Sequence, residues 1–276
     1  MNETVQAPPL LSATRVVPCP TFLGAFRGLW SFTWRSRLAL RRLPIILALL
    51  LAIPILTWLA AAQGEAPSEE AAQRYFRLVL DVYFFLVLPL YCLFVCGAMI
   101  RDELQDDTLP FLITRPLRRA GFVVIKYLCE MTWLQIVAAI EVVLLIVVGS
   151  LGRIERVNAF AVYLLLSQVL AVAAWCALST LLGLINRRYL VLGIVYGFIV
   201  ELGIGRIPTN INSLSLTKHL KTLLAHCPPV AEVYGWSVDK TFLAVLILLL
   251  ATVIFVGAAA ALFNWREYHH NEEMQK

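Results

Sequence analysis

Four acidic residues stand inside long apolar stretches of this 276-residue chain: Asp81, Glu130, Glu141 and Glu201. A charge in such a stretch is costly, so each is expected to face protein or a water-filled path. Glu130 and Glu141 return to within about 20° of one helix face, roughly 16 Å apart along the axis. Lys126 lies one turn before Glu130 and is expected to pair with it. Glu141 has no such neighbour in sequence and is the leading candidate for lining a substrate path or a subunit interface. Glu130 and Glu201 are further candidates for the same role. The plain alternative is a glutamate satisfied within a packed bundle.

Other reactive side chains point away from catalysis. His219, His226, Glu232 and Asp239 are the raw material for an intramembrane enzyme acting on lipid or peptide. They show no H-E-x-x-H spacing, and no serine sits in a nucleophile motif, so no catalytic residue is assigned. Cys92 and Cys96 share a helix face, but no further thiol or histidine completes a tetrahedral set, so helix packing explains them and no metal site is expected. Cys129 and Cys176 also fall in apolar stretches, Cys19 and Cys227 lie outside them, and a disulfide framework is not expected. No G-x-x-x-x-G-K-[ST] occurs, and no soluble stretch is long enough for a nucleotide-binding domain, so the chain is expected to bind no cofactor itself.

The elements that must position these groups are membrane helices. The composition is 60% hydrophobic and 15% charged, with a mean hydropathy of +0.79. A soluble domain carries about a quarter charged residues. Here the apolar residues come in blocks near the roughly 20 residues that cross a hydrocarbon core. Six are read as spans, over about 43–63, 76–100, 122–150, 159–184, 190–204 and 241–263. The fifth is short, and the third is long enough to tilt or protrude. No strand-like alternation competes with helix. The expected fold is therefore all-α and polytopic: a tail over 1–21, an interfacial helix over 22–42, a membrane domain over 43–263 with an outer segment at 205–240, and a tail over 264–276. No cleavable leader is read, and the first block is taken as an uncleaved anchor.

Basic residues set the orientation. Arg15, Arg27, Arg35, Arg37, Arg41 and Arg42 precede the first span, and Arg101, Arg115, Arg118 and Arg119 follow the second. The first loop on the opposite side is acidic, with Glu65, Glu69 and Glu70. Both termini are expected in the cytoplasm. The net charge of +5 follows from this asymmetry and gives no case for nucleic-acid binding. Within Phe22 to Arg42, at about 100° per residue, Phe22, Leu23, Phe26, Leu29, Trp30 and Trp34 share one arc. Ser31, Arg35 and Arg42 oppose it, Phe32 falls outside it, and Arg37 and Arg41 fall inside. An aromatic face opposed by arginines suits a helix lying in the membrane interface, either as an anchor or as a moving part beside cytoplasmic machinery.

The loop between the second and third spans carries the most information. It opens with Asp102, Glu103, Asp106 and Asp107, passes into Thr108-Leu109-Pro110-Phe111-Leu112, and closes on Arg115-Pro116-Leu117-Arg118-Arg119. Asp107 or Thr108 is expected to cap a short helix with Pro110 in its first turn. Pro116 would stop that helix, because proline disfavours helix in the residue before it.

This stretch resembles the permease subunits of ABC-2 type transporters. In that family an acidic residue ends the second span, a Thr-Leu pair follows, and a leucine-rich helix leads through a Pro-Leu-basic segment into the third span. Glu103, Thr108-Leu109, Leu112, Arg115-Pro116-Leu117-Arg118 and Lys126-Tyr127 follow that order. The chain departs from it in having Asp107 where the family usually has glycine, and in having Pro110. The resemblance implies a membrane permease subunit of an ATP-binding cassette transporter. Its partners would be two copies of a separate ATPase subunit, which uses ATP and Mg, and a second permease copy, identical or paralogous. It further implies that Asp102, Glu103, Asp106, Asp107, Thr108, Leu109, Phe111, Leu112 and Arg115 couple to the ATPase, with Leu109, Phe111 and Leu112 as the apolar anchor. Export across a prokaryotic plasma membrane is the expected direction, and a gate in the outer segment is a further expectation. The competing classes are the intramembrane enzyme and a membrane scaffold of an assembly complex.

Overall fold

The computed structural model describes residues 22–37, 51–59, 68–105, 119–154, 156–203, 212–213, 215–236 and 240–265, and these are all-helical apart from short turns. Helix α1 spans Phe22–Arg37 and α2 covers 51–59. Helix α3 runs through Ser68–Arg77 and a π-helical stretch, Leu78–Val87, into Leu88–Gln105. Then come α4, Arg119–Leu151, and α5, Val157–Ile185. Helix α6, Tyr189–Tyr196, continues into a π-helical Gly197–Gly203. Helices α7, Leu216–Leu224, α8, Pro228–Tyr234, and α9, Thr241–Trp265, complete the order.

Four helices are long and apolar enough to cross a membrane: Glu69–Ile100, Ala120–Leu151, Val157–Ile185 and Thr241–Trp265. They correspond to the second, third, fourth and sixth expected spans. The first expected span is described only at 51–59. The fifth is the short apolar helix Tyr189–Glu201, roughly 20 Å long at 1.5 Å per residue and shorter than a hydrocarbon core. It still runs from one end of the bundle toward the other. Tyr189 lies against Gly97 and Gly193 against Leu93, so α6 rises antiparallel to α3. The rings of Phe122 and Phe263, 6.1 Å apart, place the end of α9 beside the start of α4. We call this the basic end, because α4 begins there with Arg119.

Polar side chains inside the bundle are used to tie helices together. In a membrane an unmatched hydroxyl has no water to turn to, so tyrosines reach carbonyls on neighbouring helices. Tyr75 donates to Leu145 O at 2.7 Å, Tyr83 to Ala138 O at 3.2 Å, and Tyr127 to Ala173 O at 3.0 Å. Gln135 donates to Val169 O at 2.8 Å. The backbones of α3 and α5 approach closely, so that a side chain on Gly183 would strike the backbone of Gly97.

The widening of α3 has a local cause. Pro89 has no N–H for the carbonyl four residues earlier, and its ring crowds that carbonyl. The preceding turns open, and Leu88 N–H reaches five residues back to Tyr83 O, the signature of a π-helical turn. This sets the rotation of Tyr83 and Val87 about the helix, which the site below depends on.

Candidate functional site

At the basic end, α1 lies against α4. Phe26, Trp30 and Trp34 form a ladder with ring centroids 5.9 and 5.3 Å apart, and Trp34 meets Trp133 of α4 edge-on at 4.9 Å. Leu29 and Thr33 are buried on this face, while Leu23 is 78% exposed. The aromatic arc expected from sequence is thus the packing face from Phe26 onward. Thr33 joins it, and Leu23 does not.

Beside the ladder, Glu130 is 2% exposed at its side chain and holds two cations. The Arg37 guanidinium approaches it through Nη2 to Oε1 at 3.2 Å, and Nε donates to Oε2 at 3.3 Å. This two-point contact is the strong geometry for arginine and carboxylate. The expected pair with Lys126 is present, Nζ to Oε1 at 3.7 Å. The Lys126 ammonium also lies 5.7 Å from the Phe32 ring. Arg37 had fallen inside the apolar arc of α1 for a reason invisible along the sequence: that face meets Glu130.

Asp102 and Glu103 lie on the last turn of α3, with their side chains outside the described part. Asp106, Asp107, Thr108, Leu109, Phe111, Leu112 and Arg115 lie outside the described residues. What is described is the frame: α3 delivers the chain to the basic end and α4 leaves from it at Arg119.

At the opposite end, Glu201 holds the start of α7. Its carboxylate accepts from Ser215 Oγ at 2.6 Å, Leu216 N–H at 3.1 Å and Thr217 N–H at 2.9 Å. Ser215 in turn caps the helix by accepting from Lys218 N–H at 3.2 Å. A helix N-terminus offers free N–H groups and a positive dipole end, so a carboxylate is well placed there. Leu216, Leu220 and Leu224 are buried beneath α7, as its amphipathic pattern predicts. Lys221 faces the rings of Phe85 and Trp236, 5.5 Å from each centroid. The Pro228-Pro229 pair that stops α7 also opens α8, where proline is tolerated in the first turn.

The histidines considered for catalysis are engaged in this cap. His219 Nε2 contacts Ser213 O at 2.9 Å. His226 Nδ1 lies 3.2 Å from Thr222 O, and its Nε2 lies 2.9 Å from Thr241 Oγ1. A carbonyl only accepts, so Nδ1–H donates to it, and in that tautomer Nε2 accepts from the Thr241 hydroxyl. Glu232 pairs with Arg156 at 3.6 Å. No group of three or more His, Cys, Asp or Glu that could hold a metal occurs among the described residues.

Between the ends, Glu141 is 5% exposed and its Oε1 is buried without a hydrogen-bond partner. It lines a small pocket between α3 and α4 with Tyr83, Val87, Tyr91 and Val137. Tyr83 comes from the π-helical part of α3 and Tyr91 from the regular helix just after Pro89.

These features define a polytopic helical membrane protein with a buried ion-paired cluster between α1 and α4. The family model described as ABC-2 family transporter protein matches residues 38–203, more than half of the chain, and the chain belongs to that family. The match takes in the loop between α3 and α4 and leaves out α1 and α9. No curated protein matches the chain.

Proposed function

We propose that this chain is the permease subunit of an ATP-binding cassette exporter, driven by a separate nucleotide-binding subunit. The observation that carries the reading is the family match across 38–203, within which the acidic-to-basic loop stands between two membrane helices. In this reading the chain crosses a prokaryotic plasma membrane six times with both termini cytoplasmic. Two copies, or this chain and a paralogue, pair over two ATPase subunits that bind ATP and Mg. Asp102, Glu103, Asp106 and Asp107 face the ATPase, Thr108 starts the coupling helix, Leu109, Phe111 and Leu112 anchor it, and Arg115 ends it.

The arrangement at the basic end supports a transmission route. Helix α4 begins where the loop ends, and α1 is fastened to α4 through Arg37, Glu130 and the Trp34–Trp133 contact. A push on the loop would therefore move α4 and α1 as one body. Glu201 and the cap it holds form the opposite gate. The test is co-purification in mild detergent with the ATPase encoded in the neighbouring reading frame. Wild type should retain the ATPase, and a folded Glu103→Lys, Leu112→Asp variant should lose it. Retention by the variant would refute the assigned docking element, and a stable wild type that retains no ATPase would refute the permease reading.

A further inference from the structure

The pocket at Glu141 holds a buried carboxyl oxygen, Oε1, that no donor of the bundle reaches. When ionised, the Glu141 carboxyl can only accept, and it then needs a donor that the bundle does not supply. The Tyr83 hydroxyl spends its proton on Ala138 O, leaving only lone pairs for anything beside it. With its amide turned so that both its atoms are satisfied, Gln168 also donates to the Ala138 carbonyl at 3.2 Å. A buried acceptor without a donor destabilises the fold, so an acid kept in mid-membrane marks a candidate functional site.

A donor of modest size is what this oxygen lacks, and a positively charged one would also hold the carboxyl ionised. The free space is ≈ 20 Å³, about that of one water. An ammonium group fits this and brings three N–H donors, whereas a trimethylammonium head is larger and brings none. The flanking tyrosine rings add attraction for a cation. A hard metal ion would need about six oxygens or more, but Val87, Val137 and Ala138 line much of the wall. Next to the pocket, Ile140 and Leu86 are exposed on the bundle surface, 47% and 53%, so an alkyl chain leaving the pocket would lie in lipid. The phosphate of an aminophospholipid would bring a second anion toward Glu141, which favours a simple amine.

We propose that the pocket between α3 and α4 binds a lipophilic primary amine, its ammonium on Glu141 and its alkyl chain in the bilayer. The inference rests on the permease reading and names the chemistry of its cargo. It is tested on the full chain alone, without ATPase, so its failure leaves the co-purification result standing.

The experiment is equilibrium binding of radiolabelled dodecylammonium to the purified chain in phosphatidylcholine nanodiscs, with empty nanodiscs subtracted. Saturable binding is expected, and Glu141→Gln should weaken it about tenfold or more, the range of a hydrogen bond to a charged group. Dodecyltrimethylammonium should bind wild type more weakly by a similar factor, a comparison that needs no variant. Absent saturation, equal affinity of the two heads, or unchanged affinity in a folded Glu141→Gln protein would each overturn the proposal. Loss of a cross-linked dimer in Glu141→Gln, with no amine bound by wild type, would overturn it in favour of an interface between copies.

Discussion

Removing the Glu130 carboxylate should cost more than removing either of its partners. Glu130→Gln keeps the shape but leaves Arg37 and Lys126, with side chains 16% and 5% exposed, sharing a neutral amide. Breaking a buried ion pair from one side costs about 3–5 kcal/mol. Arg37→Gln instead leaves Glu130 with Lys126 at 3.7 Å and removes one charged hydrogen-bonding contact, about 1.5–3 kcal/mol. In the double variant the second change should be nearly free, because the carboxylate that Arg37 served is already gone. The coupling between the two sites should therefore exceed about 1 kcal/mol, beyond the few tenths expected of independent positions. The assay is unfolding in mixed detergent micelles, followed by tryptophan fluorescence. Trp34 and Trp133, 4.9 Å apart, report whether α1 has left α4. Additive losses, or a Glu130→Gln protein as stable as Arg37→Gln, would refute the ion-paired attachment of α1.

Two further outcomes follow from other contacts. Glu201→Gln should loosen α7 by about 1–3 kcal/mol, because an amide oxygen accepts less strongly from Ser215 and the two N–H groups that the carboxylate holds. Faster hydrogen exchange confined to 215–224 would show it, and unchanged exchange there would contradict the capping role. Gly183→Val should abolish the folded species in fluorescence-detected size exclusion, since the new side chain meets the backbone of Gly97 rather than a movable side chain. Gly257→Ala, with open space at its Cβ, should elute as wild type; similar profiles for the two would sink the close-packing argument.

The sequence revealed the fold wherever the information was local. Hydrophobic blocks located α3, α4, α5 and α9, and only the polar start of α3 escaped, because Ser68–Arg77 is an amphipathic extension rather than an apolar run. Lys126 and Glu130 could be paired from their four-residue spacing. Arg37 could not, because it is 93 residues from Glu130, and only its awkward place in the aromatic arc hinted at a buried acid. Glu201 was legible as a membrane acid but not as a cap, since Ser215 lies across a segment whose path no periodicity fixes. The unpartnered state of Glu141 was half visible: the sequence showed no neighbour along its own helix, but only the packing of α3 on α4 brings Tyr83 and Tyr91 beside it.

The touch between Gly97 and Gly183 also sets a mechanical ratio. With no side chains between them, α3 and α5 can pivot there but have little room to slide. Gly97 is about 12 Å from the end of α3 at Gln105 and about 21 Å from Tyr83, at 1.5 Å per residue. Were α3 to rock as one body through its turn at Pro89, a 1 Å displacement at the loop would become about 1.8 Å at the level of Glu141, at that rise per residue. If the loop takes up the stroke proposed for it, that stroke would arrive enlarged at the small pocket beside Glu141.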